Sequence, residues 1–496
     1  MTVALVVISV WLVVTTAVGI LAGRHRALSV EEYFVAGRSF GLVLFYVTAA
    51  AEIYSAFAFL GLAGWAATKG ASILYAPAYG AIAYGLYFFI GPRINRIGRA
   101  MGYVSQPDFL ADRYGSRWLG VAVAVVGVVF TLPYLQLQVM GTGMIVHLAS
   151  GGAVSWQGAV LVSFVAAVVF VYVSGLRGIA WTSLLQAIVM LGGMFALGVL
   201  FPARYYGGLR PMFEALLALE PDHLTLPDSS GLGIGWYVST ALLSGLGFWM
   251  WPHIVMATYG AKSERVVRRN ATLLPLFQLA LLPVILVGFT CAARAGTDPA
   301  FAARVTNPDH AMLVALVDDF PPIVAGLIGA GGLAAALSTA TALILSSATL
   351  LARNVVQQGF RRGMDDAAVV RLGRLLVPGL TAAAVVLAFA APSLLVNLLL
   401  VGYSGITQFF PAVVLGLFAR WPSPAGIGAG LFAGIATVVA CQLGGVRPPA
   451  GLHPGFLGLL VNLAAVAVVS PLSRSVDPAR LARFERALGT DSANGA

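Results

Sequence analysis

Apolar residues run through this chain in stretches of about twenty, with little of the period-two or period-3.6 alternation that marks half-buried elements of soluble proteins. A helix of about 20 apolar residues crosses the hydrocarbon core of a bilayer. Thirteen such stretches are expected, at 3–23, 40–66, 72–95, 117–148, 155–173, 180–206, 233–259, 269–293, 322–353, 369–391, 393–418, 424–443 and 454–472. We number them spans 0 to 12. The pattern predicts one all-α polytopic membrane protein, with no separate soluble domain. Two longer polar segments, 207–232 and 294–321, carry acidic residues, Pro and short amphipathic pieces. They read either as short helices over one mouth of the bundle or as plain surface loops. A tail follows at 473–496.

Composition agrees. Of 496 residues, 59% are hydrophobic and 10% charged, against about 25% charged in soluble domains. The net charge of +10 is not a nucleic-acid signal, because the basic residues sit in short loops between spans. Of the 29 Lys and Arg, 23 fall in loops on one side and 6 (Lys69, Arg204, Arg210, Arg294, Arg304 and Arg447) on the other. The positive-inside rule then puts the N-terminus outside and the C-terminus in the cytoplasm of a cell (inner) membrane. An odd number of spans requires opposite sides, which is consistent. Two cysteines, Cys291 and Cys441, lie in apolar surroundings and suggest neither a disulfide framework nor a metal site. The N-terminal run MTVALVVISVWLVV lacks a basic leader and reads as a retained span.

Against this apolar background the polar exceptions carry the information. Of 19 acidic residues, Glu52 alone falls inside a span. A charge at bilayer depth costs about 2.5–3.5 kcal/mol on insertion scales, and such residues face cavities or pathways. Glu52 is either a protonated tie to a neighbouring helix or part of an ion or solute site. Around it, Ala49, Ala50, Ala51 and Ser55 permit close helix approach, and Gly61 and Gly64 lower helix preference. Span 6, with Gly245, Gly247, Phe248, Trp249, Trp251 and Pro252 in succession, reads as a broken helix. Interrupted helices in corresponding positions of two halves point to a transporter's binding site, and spans 1 and 6 are five apart. In span 8, Ser338 and Thr339 sit one turn after Ala335. Their hydroxyls either bond back to their own helix or serve a hard cation. Gln136 and Gln138 place uncharged polar groups in span 3, at least one of them facing inward. His253 reads as a satisfied structural histidine. No phosphate loop, nucleophile elbow or metal cluster appears, so no enzyme is expected.

These motifs together resemble the sodium:solute symporter family over nearly the whole chain. The similar segments are EEYFVAGRSFG at 31–41, QPDFLADRYGS at 106–116, SGLRGIAWTSLLQ at 174–186, GLGFWMWPHI at 245–254 and ALSTATALILSSATLLARN at 336–354. The segment WPHIVMATYGAKSERVVRRNA looks most like the monocarboxylate permease branch. The resemblance implies thirteen helices with a five-plus-five inverted-repeat core of the leucine-transporter (LeuT) type, spans 1–5 at 40–206 and spans 6–10 at 233–418. The helices at 3–23, 424–443 and 454–472 are additions to it. It implies a Na+ site formed by the carbonyls of Ala51, Tyr54 and Ala335 and the hydroxyls of Ser338 and Thr339. The solute would sit among Glu52, Ser55, Gln138, Ser244, Phe248, Trp249, Pro252, Tyr403 and Gln408. Two departures stand out: Ser183 replaces an Asp usual in sodium-coupled members, and Glu52 replaces a small or uncharged residue.

The expected function is secondary symport of a small organic solute, a monocarboxylate by the branch resemblance, driven by Na+. The alternatives are H+-coupled symport through Glu52, or a membrane sensor that binds solute without moving it. A channel fits poorly with two interrupted helices. The partners expected are the solute and the lipid bilayer, with no nucleic acid and no obligate protein.

Overall fold

The structure is a computed structural model that describes residues 3–23, 29–226 and 231–489, leaving aside the side chains of 51–53, 166, 170 and 174. Among the described residues every regular element is helical. Among the described residues, ten helical stretches are long and apolar enough to cross a membrane. The remainder of the thirteen expected stretches comprises two interrupted segments and the 16-residue helix Pro454–Val469, each too short to register by length alone. Spans 4 and 5 form one helical run, Trp156–Tyr206, turned at Gly175 with φ 57°. A Cβ there would meet the Tyr33 carbonyl oxygen at 2.5 Å, so only glycine serves.

Both interruptions are present, and their causes differ. Span 6 divides into Ile234–Gly247 and Pro252–Gly260. Pro252 bars its predecessor from helical geometry, and Trp251 accordingly sits at φ −61°, ψ 131°. Span 1 ends its first half, Leu42–Ile53, at Tyr54, with φ −90°, ψ 111°. The second half resumes through Phe57–Gly61 and Leu62–Lys69. Gly61 and Gly64 therefore do not make the break. They let other chains approach: a Cβ on Gly61 would lie 3.2 Å from Leu395 Cβ, and one on Gly64 would lie 2.8 Å from the Asp309 backbone nitrogen.

Span 8, Pro322–Thr349 continuing as a wider-wound turn Leu350–Phe360, is the hub. In its most apolar window 83% of residues are buried inside the protein, against 22% for the first helix. It packs against spans 0, 3 and 5. The long polar segments form short helices, Leu209–Leu219 in one and Pro299–Arg304 and Ala311–Asp319 in the other. Residues 227–230 lie outside the described residues. Cys291 and Cys441 are free thiols.

The arginine-rich face is held by ion pairs from the quoted motifs. In EEYFVAGRSFG, Glu32 pairs with Arg177 at 2.9 Å, and Arg38 pairs with Glu31 at 2.8 Å. Arg38 also donates to the Tyr103 carbonyl at 2.9 Å. These contacts fix Ala36 and Arg38 at positive φ, 51° each, a left-handed geometry that non-glycine residues seldom hold. Phe40 then pairs with the end of span 6, its N–H donating to Gly260 at 3.0 Å and its carbonyl accepting from Lys262 at 2.8 Å.

On the opposite face, Asp309 ties three elements. It lies in the short turn Pro308–His310 before span 8 and is buried. Its Oδ2 accepts the Leu395 N–H at 3.0 Å, at the start of span 10, and its Oδ1 crowds Gly64 of span 1. Burial pushes its carboxyl up to about 6, while the Leu395 N–H pulls it down. The folded state thus holds the proton more tightly than the unfolded chain between about pH 4 and 6. Stability from this group is present at low pH and is lost as pH rises through about 6. Two pKa units correspond to about 3 kcal/mol at 1.36 kcal/mol each. Melting of the purified protein across pH 4.5–7.5 should therefore show a component that Asp309→Asn removes; an unchanged slope in the variant would exonerate this carboxyl.

Candidate functional site

The two interruptions meet span 8 and span 3 in the middle of the bundle. At the break in span 1 the Tyr54 carbonyl has no helical successor, and Thr339 Oγ1 of span 8 reaches it at 3.1 Å. The same hydroxyl lies 3.2 Å from the Ala335 carbonyl one turn back. Thr339 thus bonds to its own helix, one of the two readings of the sequence, and also bridges to span 1. Ser338, about 100° further round the helix, faces span 5, where its Oγ lies 3.4 Å from Ser183 Oγ. Ser183 in turn donates to Ile179 O at 2.8 Å. Behind Ser338 is a cavity of about 20 Å³ lined by Thr15, Thr16, Thr182, Gln186, Ser338 and Thr341, room for about one water.

The oxygens of Tyr54, Ala335, Ser338, Thr339 and Ser183 are all neutral. That donor set fits Na+, which unwound carbonyls and hydroxyls coordinate in transporters with broken helices. Ala51 and Glu52, both expected here, lie outside the residues whose side chains are described. In the sequence Ser183 stands out only as a missing acid. Its hydroxyl supplies a further neutral oxygen beside Ser338.

The residues expected around the solute separate into two groups. Gln138 is at the break of span 1, where its Oε1 accepts the Ala56 N–H at 3.0 Å. Ser55 Oγ accepts the Phe57 N–H at 3.2 Å, capping the second half-helix from within the break. Pro252 packs against span 3 at Gly127, and Tyr403 lies edge-on to Trp251, ring centroids 5.4 Å apart. Ser244 is buried on the first half-helix of span 6, Ile234–Gly247.

Three expected residues are engaged elsewhere. Trp249 donates its indole N–H to Ala83 O at 2.7 Å and stacks on Tyr87 of span 2. Phe248 packs with Tyr79, Tyr84 and Trp249. Gln408 faces span 12, donating to Gly455 O at 3.1 Å and accepting from Asn462 Nδ2 at 3.2 Å. Gln136 likewise reaches span 9, donating to Leu387 O and Ala391 O at 3.2 and 2.7 Å. Of the two glutamines, Gln138 is the one at the centre.

Two central residues were absent from the expected solute set. Trp251 packs on Tyr134 of span 3 at 5.0 Å between ring centroids. His253 lies 6.2 Å from Tyr134 and 5.9 Å from Trp251, ring to ring. It is not the satisfied histidine expected: among the described residues neither ring nitrogen has a hydrogen-bond partner, although the side chain is buried. The Pro immediately before it was the available signal, since Pro252 opens a half-helix and places His253 at its first turn.

Two interrupted helices crossing at mid-bundle, with neutral oxygens gathered at one break, define a secondary membrane transporter. The profile of the sodium:solute symporter family matches residues 33–434. The chain belongs to that family. It is a multi-pass membrane symporter rather than an enzyme, with Na+ as coupling ion and a small-molecule solute as cargo. It is 35% identical over 490 residues to the uncharacterized symporter YhjB of Bacillus subtilis (strain 168), covering 97% of this chain and 99% of that one. It is 26% identical over 501 residues to the monocarboxylate transport permease protein of Rhizobium johnstonii, covering 96% and 98%. Among solved structures, a Na+-coupled sialic acid symporter in a substrate-bound outward-open state superposes with a TM-score of 0.80 at 16% identity, covering 96% of this chain and 98% of that one. Mhp1, a nucleobase-cation-symport-1 family transporter, does so with a TM-score of 0.55 at 16% identity, covering 92% and 98%. These two likenesses establish the LeuT-type fold.

Proposed function

We propose that this chain imports a small monocarboxylate together with Na+ by alternating access. Spans 1–5 at 40–206 and 6–10 at 233–418 would act as inverted repeats that rock about the central crossing. The observation that carries the reading is the Thr339 hydroxyl bridging to the free Tyr54 carbonyl. An ion held by Tyr54, Ala335, Ser338 and Thr339, with Ala51 and Ser183 beside them, would join span 1 to span 8. Its release would free the two to move apart, which couples ion to solute. The monocarboxylate assignment draws on the likeness to the Rhizobium johnstonii permease. Solute contacts are assigned to Ser55, Gln138, Ser244, Pro252 and Tyr403, with Glu52 at the same break. The orientation, N-terminus outside and C-terminus in the cytoplasm of the inner membrane, follows from the arginine asymmetry.

Uptake of radiolabelled lactate and pyruvate into proteoliposomes, under sodium and pH gradients imposed separately, tests the assignment. Accumulation under an inward sodium gradient at uniform pH is the expected result. In that case Glu52→Gln retains sodium dependence. Uptake that follows the pH gradient without sodium, and that Glu52→Gln abolishes, would overturn sodium coupling in favour of H+ symport. Solute binding without accumulation would identify a sensor.

A further inference from the structure

Buried side-chain donors and acceptors are almost always paired, so a group of unpaired ones in a packed membrane bundle asks for a ligand. Among the described residues, several such atoms fall along the central crossing. On span 3, Thr131 Oγ1 and Gln138 Nε2 have no partner, and on span 6 neither His253 nitrogen has one. All three side chains are at least nine-tenths buried. Thr131, Tyr134 and Gln138 are spaced i, i+3, i+7, so they line one face of the helix Arg117–Ala149. That face runs from the break of span 1, where Gln138 meets the Ala56 N–H at 3.0 Å, to the break of span 6, where Tyr134 meets Trp251 and His253.

These unpaired atoms include a surplus of donors. The Gln138 amide keeps both hydrogens of Nε2, since only its oxygen is engaged. Thr131 offers an O–H. An imidazole offers at least one N–H in either charge state. The half-helix Pro252–Gly260 begins beside His253 and turns the positive end of its dipole there; Pro252 has no N–H, and the Ile254 and Val255 N–H groups donate to the Trp251 carbonyl at 3.1 Å each. Donors held in place in a dry site are complementary to an acceptor-only group.

We propose that His253, with the Thr131 hydroxyl, binds the carboxylate of the transported solute and sets the preference for carboxylates over their uncharged analogues. The inference rests on the symport reading and deepens it. It accounts for carboxylate recognition where the spans contain no lysine or arginine at mid-depth: the donors are an imidazole, a hydroxyl and an amide.

The test is binding of lactate and of its uncharged amide, lactamide, to the purified full-length protein in sodium. The parent should prefer lactate at least about tenfold. Loss of a hydrogen bond to a charged group weakens affinity about 10- to 100-fold, so His253→Phe should lose lactate affinity by that factor. Its lactamide affinity should change by less than about threefold, which erases the preference, while His253→Gln, which keeps an N–H donor, retains part of it. Lactate binding by His253→Phe at the parent's affinity would overturn the assignment and leave sodium symport standing. A parent that binds uncharged solutes but no carboxylate would overturn the monocarboxylate reading itself. Should His253→Phe fail to fold, as judged by melting, Thr131→Val carries the same test: its lactate-to-lactamide ratio must fall, and an unchanged ratio refutes the site.

Discussion

Alanine at both Ser338 and Thr339 should abolish sodium-driven uptake at physiological sodium while leaving a folded protein. The two hydroxyls project from one turn of span 8 toward different neighbours, Thr339 to the Tyr54 carbonyl at 3.1 Å and Ser338 to Ser183 at 3.4 Å. Each hydrogen-bond-scale contact to a charged group contributes about 1.5–3 kcal/mol, and about 1.4 kcal/mol is a factor of ten. Losing both raises the sodium concentration for half-maximal uptake by roughly a hundredfold or more. The single variants separate the roles. Thr339→Val keeps the shape and removes the oxygen, so it should shift sodium dependence as Thr339→Ala does, whereas Thr339→Ser should stay near the parent. The fold itself tolerates the change: the Ala335 carbonyl beside Thr339 Oγ1 is already served by the helix, and Ser183 Oγ beside Ser338 keeps its bond to Ile179 O. Sodium dependence measured by uptake rate against external sodium decides it; a double variant with the parent's half-saturation would remove the ion from this place.

How far the sequence carried the site depended on whether the backbone or the side-chain facing was at stake. The break in span 6 was legible because Pro252 dictates the geometry of Trp251 locally. The break in span 1 has no such local cause. Gly61 and Gly64, which lower helix preference, admit Leu395 and Asp309, while the chain opens at Tyr54. That opening is fixed from outside, by Gln138 capping Ala56 and Thr339 reaching the freed carbonyl. Facing was harder still. In helices apolar all round, no periodicity separates a core-facing polar residue from one facing a neighbouring span. Gln408 and Trp249 therefore looked central and are committed to span 12 and span 2. His253 looked satisfied because its surroundings are non-local, two aromatic rings that offer its nitrogens no oxygen.

Asp108→Ala should cost about 3–5 kcal/mol of stability, the penalty for stripping one partner from a buried ion pair. Asp108 belongs to the QPDFLADRYGS stretch and sits on the short helix Gln106–Tyr114, capped by Ser105. It is only 4% exposed. Its carboxylate accepts from Arg353 Nε at 2.9 and 3.1 Å, Asn354 Nδ2 at 2.8 Å, Gln358 Nε2 at 2.6 Å and the Val104 N–H at 3.0 Å. Three of these donors come from the wider-wound end of span 8, Leu350–Phe360. One side chain thus anchors the arginine-rich end of the central helix to the loop between spans 2 and 3. Alanine leaves the Arg353 guanidinium, mostly buried, without its counter-charge. Removing both partners relieves that cost, so Asp108→Ala with Arg353→Ala should be less destabilised than the sum of the two single changes. Asp108→Asn keeps an acceptor for some of the donors and should fall between parent and alanine. Melting of the five proteins in one detergent gives the comparison, and an Asp108→Ala protein that melts with the parent would show that the network is bystander geometry. The expected order also explains why this acid is set among arginines on the charged face while the spans keep almost none. An anchor outside the membrane can use a full ion pair, whereas the ion site proposed within it would work with neutral oxygens, so that the charge arriving there would be the ion's own.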